Sequence, residues 1–155
     1  STLELRGFNE GDFAKLHPGG SLGKRLLLKV DQIMHSDDRI PLISVTTKVK
    51  DALLYISEKG FGMTGVLNNL DTMVGIITDG DVRRALEKEG NNIFDQTAES
   101  LMSKNPKWIS ASTLAISALK LMEKYSITSL FVYSDKELKK PNGVIHIHDL
   151  LKIGL

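Results

Sequence analysis

The sequence predicts an α+β fold of two β-α-β-β-α repeats related by pseudo-two-fold symmetry. Three observations predict it: motifs that recur about 66–68 residues apart, apolar stripes at helical spacing in both copies, and a strand-type run after each stripe. Asp31-Gln-Ile-Met34 matches Glu99-Ser-Leu-Met102, Ile43-Ser44 matches Ile109-Ser110, and Ala52-Leu53 matches Ala118-Leu119. Gly75-Ile-Ile-Thr-Asp-Gly-Asp81 falls on Gly143-Val-Ile-His-Ile-His-Asp149. Small loop insertions account for the drift in offset.

Residues 1–24 hold Gly7, Gly11, Gly19, Gly20 and Gly23 of the 13 glycines and show no sustained periodicity, which marks a connecting segment. Val49, Ala52, Leu53 and Ile56 then sit at i, i+3, i+4, i+7, an apolar stripe on one helix face, and Gly60 stands where a left-handed C-cap is expected. Strands follow at Met63–Leu67 and Val74–Thr78, joined by a turn at Asn68-Asn69. A second helix carries Val82, Ala85 and Leu86 on one face and ends at Gly90. Asn91–Thr97 is the linker to the second copy. There the stripe is Ala115, Ala118, Leu119 and Met122, the strands are Ser129–Tyr133 and Val144–Ile147, and Asn142-Gly143 is a hairpin signal. Each copy, at about 55–60 residues, is too small for a comfortable core alone, so the two are expected to pack face to face.

Composition narrows the function classes. The chain has 155 residues with 20 Lys and Arg against 19 Asp and Glu, a formal net charge of +1, which argues against a generic binder of nucleic-acid backbones. Hydrophobic residues at 41% and charged residues at 25% are ordinary for a globular protein and exclude wholesale disorder. There is no apolar run near the roughly 20 residues of a bilayer span. Without cysteine there is no disulfide, no thiolate nucleophile and no Cys-type zinc site. A soluble cytoplasmic protein is the expectation.

The candidate chemistry sits at the second strand–helix junction of each copy. Thr78, Asp79 and Asp81 open the helix of the first copy. One reading is a capping box, with Thr78 as N-cap and Asp81 three positions on. The other is a nucleotide site: free N–H groups at a helix N-terminus suit a phosphate, and the Asp81 carboxylate suits the hydroxyls of a ribose. Arg83 and Arg84 follow in the first turns, where cations oppose the helix dipole; they either clamp an anionic ligand or form a solvated face with Glu87 pairing Arg83. In the second copy His146 takes the place of Thr78 and Asp149 that of Asp81, while His146 and His148, read as i and i+2 on a strand, point to one face. These histidines are assigned to ligand contact, with a hydrogen-bonded core role next and a metal site the weakest option. Thr64 and Ser129 are placed as equivalent hydroxyls at the start of the middle strand, lining the cleft or serving turn chemistry. Trp108, before Ile109, is a base-stacking platform or a packing anchor. His17, beside Pro18-Gly19-Gly20, reads as a surface turn.

The tandem plan with Gly-x-x-Thr-x-x-Asp at the junction resembles the CBS-domain pair, over about Val30–Leu155. GIITDGDVRR of the first copy matches that family's pattern well, whereas GVIHIHDLLK of the second departs from it at His146. GFNEGDFAKLHPGGSLGKRLL upstream is similar to the junction between a sugar-isomerase (SIS) domain and a CBS pair, as in D-arabinose-5-phosphate isomerases. The resemblance implies residues 1–29 as linker from a missing isomerase domain, with CBS domains at 30–90 and 98–155. It implies Thr78 and Asp81 as ribose or phosphate contacts, and His17 as a proton-transfer residue of the full-length isomerase only. It further implies a regulatory role in an enzyme interconverting ribulose 5-phosphate and arabinose 5-phosphate for Kdo and lipopolysaccharide synthesis, homodimerisation through the pairs, and no cofactor. CMP-Kdo, with a ribose, one phosphate and a sugar carboxylate, is the ligand this setting favours; a purely structural dimerisation module and an adenine-nucleotide energy sensor are the alternatives.

Overall fold

A computed structural model describes residues 22–135 and 139–155. His17 and most of residues 1–29, the expected linker, therefore lie outside the described residues. The end of that segment is folded: helix α1 (Leu22–Leu26) buries Arg25 beneath the C-terminal turn at Gly154, and the Leu28 carbonyl accepts the Ala115 amide.

Each repeat runs strand, helix, strand, strand, helix, as the periodicity predicts. The first consists of β1 (Leu42–Ser44), α2 (Val49–Lys59), β2 (Met63–Leu67), β3 (Met73–Thr78) and α3 (Asp79–Glu89). The second, after α4 (Ala98–Leu101) and β4 (Ser103–Lys104), consists of β5 (Trp108–Ser110), α5 (Ala115–Tyr125), β6 (Ser129–Tyr133), β7 (Gly143–His146) and α6 (Ile147–Lys152). In both sheets the first strand pairs parallel with the second, which pairs antiparallel with the third. The parallel pair requires a crossover, which α2 and α5 supply.

Val49, Ala52 and Ile56 are buried against the first sheet, and Ala115, Ala118, Leu119 and Met122 against the second, so the stripes mark the core-facing sides. Gly60 closes α2 at φ 81°, the left-handed conformation that only glycine adopts freely. On α3 only Val82 and Ala85 are buried; Leu86 is 37% exposed, contrary to the stripe expected there. A third cluster joins the repeats, with Ile40, Phe61, Met63 and Met73 of the first meeting Phe131 and Val144 of the second. Face-to-face burial of this kind supplies the core that neither repeat encloses alone.

The connecting segments carry structure that periodicity does not reveal. The segment before each repeat packs on the other repeat. Lys29 bridges to Leu114 and His35 to Val144, while β4 pairs with β3 and Val49 donates to the Gln96 carbonyl. Within the Asn91–Thr97 linker Ile93 is fully buried in the first core. The repeat motif explains the fit: Met34 lies on Gly143 and Met102 on Gly75, so the Met of each copy covers the Gly of the other. A Cβ on Gly143 would stand 2.9 Å from the Met34 Cγ and 3.0 Å from the His35 carbonyl. This close approach, rather than a tight turn, accounts for glycine at 143. The hairpin signalled at Asn142-Gly143 forms without a two-residue turn there: β6 and β7 pair antiparallel, and their connection spans residues 134–142, where the Asn142 side chain accepts the Ser134 amide. Asn68, by contrast, does make its turn, its side-chain oxygen accepting the amides of Leu70 and Thr72.

Candidate functional site

The strand–helix junction of the first repeat realises the capping box. Thr78 is extended at the N-cap; its hydroxyl accepts the Asp81 amide at 3.1 Å, and Asp81 Oδ2 accepts the Thr78 amide at 2.9 Å. The other carboxylate oxygen of Asp81 accepts from Arg84 at 2.8 Å. The Asp79 amide donates to the Gly62 carbonyl, which ties the start of α3 to β2. The second junction is built alike. Asp149 Oδ2 accepts the His146 amide at 2.8 Å, His146 Nδ1 accepts the His148 amide at 3.0 Å, and the Ile147 amide donates to the Thr128 carbonyl.

Two expectations change here. β7 ends at His146, so His148 lies in the first turn of α6 and not beside His146 on a strand; their rings stand 4.5 Å apart, centroid to centroid. The Thr64–Ser129 equivalence slips by one residue. Met63 pairs with Thr78, and Ser129 pairs with His146, so Ser129 is the counterpart of Met63. Because side chains alternate along a strand, that step puts the two hydroxyls on opposite faces. Thr64 is fully buried and donates to the Gly65 carbonyl, whereas the Ser129 hydroxyl donates across the repeats to the Phe61 carbonyl at 2.8 Å.

A cavity of about 610 Å³ opens in front of the first junction. Thr78, Asp79, Asp81, Arg84 and Ser129 line it; Arg83, Thr64, Trp108, His146, His148 and Asp149 do not. Trp108 packs at the third cluster, edge-on to Tyr133 at 5.5 Å, the anchoring role of the two considered. Arg84 shares its guanidinium between Asp81 and the cavity mouth, with 66% of its side chain exposed. The cavity wall also includes Ser103, Lys104 and Lys107, which carry no motif and reach the site only because β4 pairs with β3. The 68-residue offset was the available signal, since it sets Ser103 beside His35.

The site combines a helix N-terminus, two carboxylates, three cations and hydroxyls around a water-accessible space, an arrangement suited to a polar ligand with an anionic part. The second junction is filled differently. His35 Nε2 lies 2.9 Å from Asp149 Oδ1, and its ring packs on Phe61 at 5.4 Å. Burial, and next the neighbouring His148, hold the His146 imidazole below its ordinary pKa of 6.5, against an opposing pull from Asp149. A neutral ring fits the acceptor role of its Nδ1. Among the described residues no group of three or more His, Asp or Glu side chains is arranged to hold a metal ion, and no helix is long and apolar enough to cross a membrane.

Comparison with known proteins agrees with this architecture. The chain is 44% identical over 153 residues to the arabinose 5-phosphate isomerase KdsD of Francisella tularensis, and 42% to that of Pseudomonas aeruginosa. In both cases 99% of the chain aligns with 46% of the relative, so the chain spans about half the length of the curated relatives it matches. Among solved structures, the CBS-domain protein ATU1752 of Agrobacterium tumefaciens superposes with a TM-score of 0.73 at 16% identity, covering 84% of this chain and 96% of its own. CBSX2 in complex with AMP superposes with a TM-score of 0.66 at 22% identity, covering 80% and 93%. The family description "CBS domain" matches residues 30–88 and 98–155, so the chain belongs to the CBS-domain family, as a tandem pair.

Proposed function

We propose that the chain is the regulatory nucleotide-binding pair of an arabinose 5-phosphate isomerase of the Kdo pathway, and that CMP-Kdo is its ligand. The observation that carries this reading is the cavity at Thr78–Arg84. Its anion-competent helix N-terminus, with Arg84, Lys104 and Lys107, suits a phosphate and a sugar carboxylate. Asp81 suits the ribose hydroxyls once Arg84 swings from its Oδ1, and Thr78 Oγ1, already an acceptor, keeps a hydroxyl hydrogen to donate. Thr64, Arg83, His146, His148 and Asp149, the remaining ligand candidates, do not line this cavity. The relatives named above, together with a neighbour whose structure contains AMP, support the reading.

A thermal-shift panel of CMP, CMP-Kdo, AMP, ADP and ATP tests it. A ligand at 100-fold its Kd adds about 2.7 kcal/mol to stability. CMP-Kdo is expected to give the largest shift. Shifts confined to AMP, ADP and ATP would transfer the site to adenine-nucleotide sensing, and no shift at all would leave a structural module.

Homodimerisation belongs to the same proposal and has its own support. Leu54 on α2 is 71% exposed, and Leu86 on α3, a helix in contact with α2, is exposed as well. Light scattering at tens of micromolar is expected to give a dimer; a monomer refutes it. The isomerase chemistry is assigned to a sugar-isomerase domain of a cytoplasmic parent. The 155-residue chain alone is expected to leave arabinose 5-phosphate unconverted.

A further inference from the structure

We propose that His35 fills the second half-site in place of a ligand, so that the pair takes one nucleotide rather than two. The residue at this one register position, His or Ser, then decides which half-site is open. The proposal rests on the nucleotide reading above.

Strand register fixes the equivalence. Ser103 pairs with Ile76, two residues before the N-cap Thr78, and His35 pairs with Val144, two residues before the N-cap His146. In the first half-site this position holds a small hydroxyl that forms part of the cavity wall. In the second it holds an imidazole that reaches the carboxylate itself, with His35 Nε2 2.9 Å from Asp149 Oδ1.

The two carboxylates differ in how firmly they are taken. Asp81 Oδ1 is held by Arg84, a long side chain of the same helix with most of its surface in water. A ligand hydroxyl can replace it while the guanidinium turns to the ligand's anionic end. Asp149 Oδ1 is held by a short side chain on a fixed backbone. His35 donates to and accepts from Val144 at 2.9 Å each, and its ring is wedged on Phe61, over which the Arg39 guanidinium also lies at 5.4 Å. Phe61 is pinned in turn by the Ser129 hydroxyl on its carbonyl. A ligand entering the second half-site would have to break the His35–Asp149 contact and displace the ring from its packing on Phe61.

Exchanging the two residues tests this. Wild type, His35→Ser, Ser103→His and the double exchange are titrated calorimetrically with CMP, AMP and CMP-Kdo as probes. Expected are one ligand per chain for wild type, two for His35→Ser, and at least tenfold weaker binding for Ser103→His. The double exchange is expected to return to one per chain. Two ligands on wild type, one on a folded His35→Ser, or Ser103→His binding within twofold of wild type would overturn the inference and leave the nucleotide reading intact. If no probe binds any of the four proteins, the nucleotide reading has failed and the inference fails with it. Should His35→Ser not fold, Ser103→His decides alone, because residue 103 is exposed and its substitution leaves the core untouched.

Discussion

The two strand–helix junctions are copies of one device put to different ends. In both an N-cap side chain accepts a first-turn amide and an Asp three residues on accepts the N-cap amide, both tie the next amide to the carbonyl just before the neighbouring strand, and both are crossed by a segment borrowed from the other repeat. Beyond the Thr or His at the N-cap, they differ in what holds one carboxylate oxygen. Asp81 Oδ1 answers to an exposed Arg beside a cavity of about 610 Å³, and Asp149 Oδ1 to a His packed on Phe61. The shared part of the motif is thus the part that builds the helix start, and the chemistry available to a ligand is set by what approaches from outside the motif. A Thr-x-x-Asp or His-x-x-Asp pattern cannot by itself distinguish an open site from a closed one.

The largest effects expected from perturbing this comparison are at the paired glycines. Gly143→Ala drives a methyl group into Met34 and the His35 carbonyl, and Gly75→Ala drives one into Met102 and the Ser103 carbonyl. Each is expected to cost about 1–3 kcal/mol in a denaturant titration, as overpacking does. A cost confined to one copy would show that the symmetry of the crossing segments is only apparent.

Next come the carboxylates. Asp81→Ala is expected to weaken nucleotide binding at least tenfold, about 1.4 kcal/mol, with no more than about 1 kcal/mol lost from the helix start. Asp149→Ala is expected to change affinity less than threefold while lowering the melting temperature, because it strips partners from His35 and the His146 amide. If Asp81→Ala melts lower yet binds as wild type does, the first junction is a helix cap and nothing more. If both variants bind equally poorly, the distinction between the junctions collapses.

A smaller effect separates the boxes by pH. The folded state holds His146 below its ordinary pKa of 6.5, so the unfolded chain binds the extra proton first. The neutral ring's contribution is complete above pH 6.5 and is lost as the pH falls through the lower folded-state value. His146→Thr, which installs the N-cap of the first copy, is expected to lose less melting temperature than wild type between about pH 7.5 and about pH 5.5. Equal losses would place the acid sensitivity elsewhere. The smallest effect is expected at Arg83→Ala, within about 0.5 kcal/mol of wild-type stability and within twofold in affinity, since Arg83 stands outside the cavity that Arg84 lines. A larger affinity loss would restore the paired-guanidinium clamp.

Much of this fold was legible because its signals are local. The α2 and α5 stripes, the Gly60 cap and the Met63–Leu67 and Ser129–Tyr133 strands are written within a few residues of each other, and a periodic face reports its own burial. Thr78, Asp81 and Arg84 were legible for the same reason. What escaped is written in tertiary pairing. Lys104 and Lys107 belong to no periodic run, and only the β3–β4 register brings them to the cavity. His35 gave no local sign that it would meet Asp149, more than a hundred residues away. The Thr64–Ser129 equivalence failed because Ser129 stands 66 residues after Met63, the offset of the helix stripes, and only 65 after Thr64; in a strand one residue is a change of face.

The crossing of the two segments bears on how the molecule comes apart. Because residues 29–35 complete the second repeat and residues 96–104 complete the first, neither half owns all of its own sheet edge or core. A cleavage between residues 90 and 96 therefore does not release two domains: the first half made alone is short of β4 and of Met102, and the second of the Lys29 and His35 bridges and of Met34. Heat or denaturant is expected to melt the pair in a single transition. Refolding has to close the Lys29–Leu114 and His35–Val144 loops before the second core is whole, which places it among the slow, long-range topologies for its size. The same reciprocity offers a route to exchange between chains: at high concentration during refolding, a crossing segment finds the identical groove on a second copy as readily as its own.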